Sequence, residues 1–280
     1  MLSKRIATIL PDMNFEEMME VTKIHSVAGM LKDGELIFER PFRSPHHTAS
    51  KISLIGGGKN AKPGEISLAH RGILFLDELP EFSKNTLEVL RIPIEDRKVL
   101  INRANTVCEY PANFMLVASM NPCPCGYYGS KEKECSCSAK EVRKYMNKIS
   151  GPLLDRIDIQ VEVQSTDYTK INPNMKIESS KTVKERVNRA RRIQEKRYEG
   201  FNIFSNSELT PQLIEKYCNI NKESRDLLDM AFKRLNLSSR AYNRILKVAR
   251  TIADLREAKN IEKQDIAEAI QYRSLDKKYF

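Results

Sequence analysis

No stretch of this 280-residue chain approaches the roughly 18 consecutive apolar residues that span a bilayer, and Met1–Met13 lacks the long apolar segment of a secretory signal. These absences predict a cytoplasmic protein with no membrane partner. Internal repeats and low-complexity tracts are missing as well. From Lys181 onward glycine almost vanishes, with Gly200 alone remaining. The phosphate-loop signature G-x-x-x-x-G-K-[ST] occurs nowhere. The nearest stretch, Gly56-Gly57-Gly58-Lys59, fails it, because Ser53 stands at the first glycine position and Asn60 at the hydroxyl position.

What is present suits two globular domains. The composition, 41% hydrophobic and 30% charged, is enough for one large α/β domain and a smaller helical one. A net charge of +10 favours an anionic partner without selecting one. Four of the six cysteines fall between Cys123 and Cys137, in the pattern C-x-C, nine residues, C-x-C. A large chain without an export signal does not need a disulfide framework. Cys123, Cys125, Cys135 and Cys137 are therefore expected to enclose one structural Zn2+, four thiolates making a tetrahedron that pins the intervening loop.

The rhythm of the chain changes along its length. Up to about Val163, short apolar runs alternate with Gly- and Pro-bearing turns. Ile73–Leu76, Phe114–Ala118 and Ile157–Val163 read as buried strands and Lys84–Leu90 as a crossover helix. The polar segment Gln164–Ser180, with its Asn172-Pro173-Asn174 turn, reads as a linker. The expected division is thus an α/β core over residues 1–163, a linker over 164–180 and an all-α domain over 181–280. In that last domain a helix is predicted from Ser238 or Ser239 towards Arg256. Ala241, Ile245, Val248, Ile252 and Leu255 form its apolar stripe, beside a basic row of Arg240, Arg244 and Lys247 that by itself reads as a solvated face.

Two motifs carry chemistry. Gly72–Glu78 reads GILFLDE, a central strand with two carboxylates at its C-terminal end, where α/β sheets place ligands. In a nucleotide hydrolase Asp77 would hold Mg2+ and Glu78 would polarise the attacking water. A surface DE pair after a buried strand is also common. Phe114–Asn121 reads FMLVASMN, a second strand ending in an amide that can reach a γ-phosphate, although Asn after a strand is more often a turn residue. Between them, Lys98–Tyr110 reads as a β-hairpin.

With GPLLDRIDI at Gly151–Ile159, the ordered set resembles the AAA+ superfamily, and within it the magnesium-chelatase-like family of YifB and ComM. The resemblance covers essentially the whole chain. Its most specific parts are RPFRSPHH at Arg40–His47, PGEISLAHRGILFLDELPEF at Pro63–Phe82, MNPCPCG at Met120–Gly126 and SGPLLDRIDI from Ser150. It implies a P-loop NTPase core followed by an all-α lid, with ATP and Mg2+ as cofactors. Asp77 and Glu78 become the Walker B pair and Asn121 becomes sensor 1. Arg156 becomes the arginine finger acting on a neighbour's ATP, although it also reads as a salt-bridge partner of Asp155 or Asp158. Arg240 falls at the sensor 2 position, with Arg244 as a second nucleotide contact.

The resemblance further implies a homo-hexameric ring acting on DNA in branch migration, with the hairpin residues Lys98 and Arg103 touching nucleic acid. A plain edge hairpin has comparable weight. His46 and His47 are expected to make a loop or subunit contact. In relatives, the sequence corresponding to Met1–Arg5 directly follows Gly-Lys-Thr. The chain is therefore expected to begin inside the P-loop helix, as a fragment or a degenerate gene product, without the family's amino-terminal Lon-protease-like domain. Two other functions compete: a non-hydrolysing subunit that lends Arg156 to a complete neighbour, and a chelatase-type subunit remodelling a metal-inserting partner.

Overall fold

The computed structural model describes residues 2–32, 34–103, 106–130, 133–163, 178–235 and 237–273. The chain divides into two compact units, Met1–Arg156 and Ile157–Phe280. Most of the expected linker, residues 164–177, lies outside the described residues. No helix among the described residues is long and apolar enough to cross a membrane.

The first unit is built on strands β1 (Phe42–Arg43), β2 (Gly56–Gly57), β3 (Lys62–Pro63), β4 (Ile73–Leu76), β5 (Lys98–Arg103), β6 (Thr106–Pro111) and β7 (Met115–Ala118). β1, β4 and β7 form a parallel sheet in that order, with Ile73 opposite both Phe42 and Met115. β4 is buried along its whole length, as a continuous apolar run flanked by a strand on each side requires. β7 forms where expected but is half exposed, with Met115 47% accessible. This corrects its expected burial: β4 is its only ladder partner among the described residues, so it lies at the margin of the sheet.

The expected buried strand Ile157–Val163 is also corrected. Residues 157–163 form no strand, and Ile159, Val161 and Val163 are exposed. The backbone groups there are engaged elsewhere in the second unit. The Gln160 amide donates to the Tyr272 carbonyl at 2.8 Å, and the Arg273 guanidinium donates to the Ile157 carbonyl. A period of two in the sequence makes a strand only where a neighbouring ladder accepts it.

The motif at Arg40–His47 braces the sheet. Arg40 donates to the carbonyls of Pro11 (2.6 Å) and Arg71 (2.7 Å) and to both carboxylate oxygens of Glu17. Glu17 itself belongs to the capping box, with Asn14, of the helix Phe15–Ala28. Arg43 makes a bidentate pair with Glu65 at 2.7 and 2.8 Å. Beside them, a Cβ on Gly72 would stand 2.0 Å from the Pro41 carbonyl oxygen, so only glycine lets β1 lie this close to the start of β4.

The second unit is helical. Its longer helices are Ser180–Arg197, Lys222–Leu235 and Ser239–Leu255. They pack with Pro211–Tyr217 and Lys263–Gln271 around Leu228, Ile245, Ala249, Ile252 and Ile266. The predicted helix is present. Ser238 is its N-cap, accepting from the Ala241 amide, and Ala241, Ile245 and Ile252 are buried while Leu255 at the end of the stripe is 37% exposed.

Candidate functional site

Parallel strands end at the same edge of a sheet, so the segments after β1, β4 and β7 meet there. β4 delivers Asp77 and Glu78, both exposed. The segment after β7 delivers Ser119, whose hydroxyl donates to the Asp77 carboxylate, and the exposed Asn121. The segment after β1 delivers His47, whose Nδ1 lies 3.8 Å from Glu78 Oε2. Glu78 adopts a left-handed backbone conformation (φ 52°, ψ 51°), a strained state for a residue with a Cβ, and one met at functional turns. Tyr145, buried on the helix Ala139–Met146, sits beside this cluster. Burial and the nearby Glu81 and Glu78 carboxylates push its phenol up, while its oxygen takes a hydrogen bond from the Asn121 backbone.

The two strand motifs point to Asp77, Glu78 and Asn121, and β4 and β7 run side by side in parallel. Ser119 and His47 were not singled out for this site. Ser119 has a recoverable signal, since it is the first residue past a strand adjacent to β4. His47 has none in its spacing, because the turn closed by the Ala49 amide on the His46 carbonyl at 2.8 Å decides which way it faces.

Two residues after Asn121 the cysteine cluster begins. Its four sulfurs lie within 4.8 Å of one another, with Cys123 to Cys125 at 3.3 Å, Cys125 to Cys135 at 3.5 Å and Cys123 to Cys135 at 3.7 Å. A tetrahedron with Zn–S bonds of about 2.3 Å has edges of roughly 3.8 Å, so the four thiols fit one zinc ion. The Tyr127 backbone amide lowers the Cys125 thiol, while burial and the neighbouring cysteines raise those of Cys135 and Cys137.

The remaining predicted residues are scattered. Arg156 is only 9% exposed at its side chain and turns back onto its own unit, pairing with Glu95 and donating to the Pro152 carbonyl at 2.7 Å. Arg240 and Arg244 lie in the first turns of Ser239–Leu255, with Arg244 bonded to Asp158 at 2.6 Å. Lys98 pairs with Glu109 across the β5–β6 hairpin at 3.0 Å, so its charge is largely answered within the chain. Arg103 ends β5, and its side chain lies outside the described structure. Gly56–Gly57 pairs with Lys62–Pro63 as a tight hairpin, a geometry unlike a phosphate-cradling loop that feeds a helix.

Residues 1–171 match a family model described as magnesium chelatase, subunit ChlI, and residues 177–273 match the model of its C-terminal part. The chain is 42% identical over 280 residues to competence protein ComM of Haemophilus influenzae, covering 98% of this chain and 53% of that protein. It is 42% identical over 278 residues to YifB of Escherichia coli, covering 99% and 54%. A Mycobacterium tuberculosis protein is 38% identical over 275 residues, covering 98% and 54%. The chain thus spans about half the length of the curated relatives it matches. A parallel sheet with a buried central strand, tipped by Asp77 and Glu78, a helical second unit, and family matches across both units lead to one conclusion: the chain belongs to the magnesium-chelatase-like AAA+ family of YifB and ComM.

Proposed function

We propose that this chain is the hydrolytic core of an ATP-dependent AAA+ motor that works in the cytoplasm as a homo-hexameric ring on DNA. The observation that carries the proposal is the meeting of Asp77, Glu78, Ser119 and Asn121 at one edge of the parallel sheet. Phosphoryl transfer is catalysed mainly by positioning and charge stabilisation; these side chains would position water and phosphate, while Mg2+ at Asp77 and a guanidinium would answer the phosphate charge. Asp77, oriented by Ser119, would hold Mg2+, which when bound would neutralise phosphate charge. Glu78 takes up the proton side of the attacking water, and Asn121 orients the γ-phosphate. Arg240 and Arg244 are the further nucleotide contacts that the family resemblance implies. Arg156 serves the ATP of an adjacent subunit, which requires it to leave Glu95. The four cysteines hold Zn2+ and stiffen the segment that follows Asn121.

The DNA partner is supported by the net charge, by the name of the competence protein to which the chain is similar, and by the helix Ser180–Arg197, where Lys181, Arg192 and Lys196 are exposed, while the exposed Arg186 and Arg189 pair with Glu178 and Glu257. Strand exchange or branch migration of incoming DNA is the activity this favours over remodelling of a metal-inserting partner. Lys98 contributes less than its position suggests, since Glu109 already answers it.

The test is DNA binding and ATP turnover by the chain extended at its N-terminus with a segment ending in Gly-Lys-Thr. Affinity for forked or single-stranded DNA should fall steeply between about 50 and 200 mM salt, as counterion release demands. DNA should also stimulate ATP hydrolysis. No DNA binding at low salt would defeat the DNA assignment. Binding and stimulation by a protein partner alone would favour the chelatase-type role.

A further inference from the structure

The helix Ala139–Met146 buries Tyr145 and Met146 in the first unit and leaves its opposite face in solvent. Lys140, Arg143 and Lys144 share that face at steps of three and four, and with Ala139 and Asn147 they line a shallow hollow of about 430 Å3. Among the described residues none of these three cations has a carboxylate partner, whereas Lys98, Lys148 and Arg156 each meet one. The single carboxylate of the helix, Glu141, is already engaged. It closes the capping box with Ser138, accepting from the Ser138 amide at 2.8 Å. The helix dipole does not account for the row either, because it favours cations in the last turn and Lys140 stands in the first. Lys140 and Lys144, one turn apart, also repel each other. Three like charges gathered on one face at this cost call for an anion from outside the chain.

The cysteine loop supplies aromatic rings to the same region. The Cys125 sulfur accepts from the backbone amides of both Tyr127 and Ser136, and Ser138 caps the helix, so one cluster ties the tip of the loop to the start of the helix. Gly126 and Gly129, at φ 83° and 77°, bend the chain on either side of Tyr127 and Tyr128, and the Ser130 amide closes the turn on the Tyr127 carbonyl at 3.0 Å. Both rings remain in solvent, 38% and 46% exposed, and Lys133 Nζ lies 4.5 Å from the centroid of Tyr127. Exposed rings beside unanswered cations suit single-stranded nucleic acid, whose bases stack on aromatic faces while cations track its phosphates. We propose that the cysteine loop and the helix Ala139–Met146 form a single-stranded nucleic-acid surface: Lys140, Arg143 and Lys144 take backbone phosphates, and Tyr127 and Tyr128 take bases. This surface rests on the DNA partner proposed above and deepens it, giving the first unit a contact apart from Lys98 and Arg103. An acidic protein segment would answer the cations and leave the two rings without a use.

Fluorescence anisotropy of a labelled oligothymidylate of about 20 nucleotides, titrated with the 280-residue chain, tests it. The double variant Lys140→Glu, Lys144→Glu should bind about tenfold or more weakly at about 50 mM salt, and its plot of log affinity against log salt should be shallower by about 1.4, the share of two phosphates. A charge-matched control at the exposed Lys32 and Lys51, both changed to Glu, should lose less than about threefold. Tyr127→Ala with Tyr128→Ala should lose about fivefold or more with the salt slope unchanged. Should the charge reversal misfold, Lys140→Gln with Lys144→Gln is measured in its place. Full affinity in the Lys140 and Lys144 variant, or an equal loss in the control, overturns the surface. Full affinity in the tyrosine variant overturns it as a single-strand site, and tighter binding of poly-glutamate than of the oligonucleotide overturns it in favour of an acidic protein. If the 280-residue chain binds no oligonucleotide at low salt the surface is also overturned, and DNA binding by the chain extended with Gly-Lys-Thr then shows that the DNA partner itself stands.

Discussion

At the scale of single residues, the first unit is tied together by charges that face a few buried partners. Glu20 accepts from His70 Nε2 at 3.0 Å and from Arg71 Nε at 2.8 Å. His70 Nδ1 accepts from the Asn113 amide at 3.0 Å, which leaves the ring proton on Nε2 to face Glu20. The His70 hydrogen bond, followed by Arg71, pulls the Glu20 carboxyl down to about 2 from an ordinary 4.5. A carboxyl whose pKa is depressed in the folded state adds stability above its unfolded value and loses it on acidification. Unfolding free energy should therefore fall as pH drops from about 4.5 through about 2, and Glu20→Gln should flatten that part of the profile. Denaturant unfolding across this range reads it directly; an unchanged slope in Glu20→Gln would show that other carboxyls carry the acid sensitivity.

At the scale of elements, each unit has one feature whose removal should be felt beyond its own residue. In the second unit Asp254 is fully buried and accepts from Arg197, from Arg250 Nε at 3.1 Å and from Asn206 Nδ2 at 2.8 Å, joining Ser180–Arg197 to Ser239–Leu255. Asp254→Ala would leave Arg250, only 2% exposed, without its buried counter-charge. A loss of about 3–5 kcal/mol is expected, because breaking a buried pair from one side strands the other charge. Removing the exposed Arg189–Glu257 pair should change little by comparison. Chemical denaturation of both variants separates the two cases.

In the first unit the cysteine loop is the corresponding element. Protein purified without chelator should carry about one zinc per chain, lost in the double variant Cys123→Ser, Cys135→Ser. Metal analysis of the two proteins checks this. Absence of zinc from the unaltered chain would leave the cysteines as a thiol cluster.

At the scale of the whole molecule, the carboxylates at the sheet edge are present while residues 1–280 contain no phosphate loop. The backbone amides and lysine of that loop supply most nucleotide affinity, so the 280-residue chain should show no ATP turnover above background. Extension with Gly-Lys-Thr should bring turnover, and Glu78→Gln should then stop it while ATP stays bound. Mixing Glu78→Gln with Arg156→Ala should return part of the activity, since finger and water-activating carboxylate would come from different subunits. Robust hydrolysis by the 280-residue chain itself would mean that another segment binds phosphate.

Local pattern was enough for those parts of the protein that depend on local pattern. The buried run Ile73–Leu76 makes a central strand because no polar side chain interrupts it. The stripe Ala241 to Ile252 makes a helix because its period is that of a helix, capped by Ser238. The carboxylates, the Asn121 amide and the cysteine spacing are visible for the same reason. Long-range contacts were not. Whether Ile157–Val163 became a strand depended on a ladder partner, and its backbone found Tyr272 and Arg273 instead. Arg156 met Glu95, 61 residues earlier, a pairing that no local spacing announces. His47 met Glu78 because β1 lies next to β4, a neighbour relation fixed by Gly72 beneath Pro41 and by the arginine braces on either side. Residue types and periods set the elements; which side chains face one another followed only once the sheet had brought distant segments to the same edge.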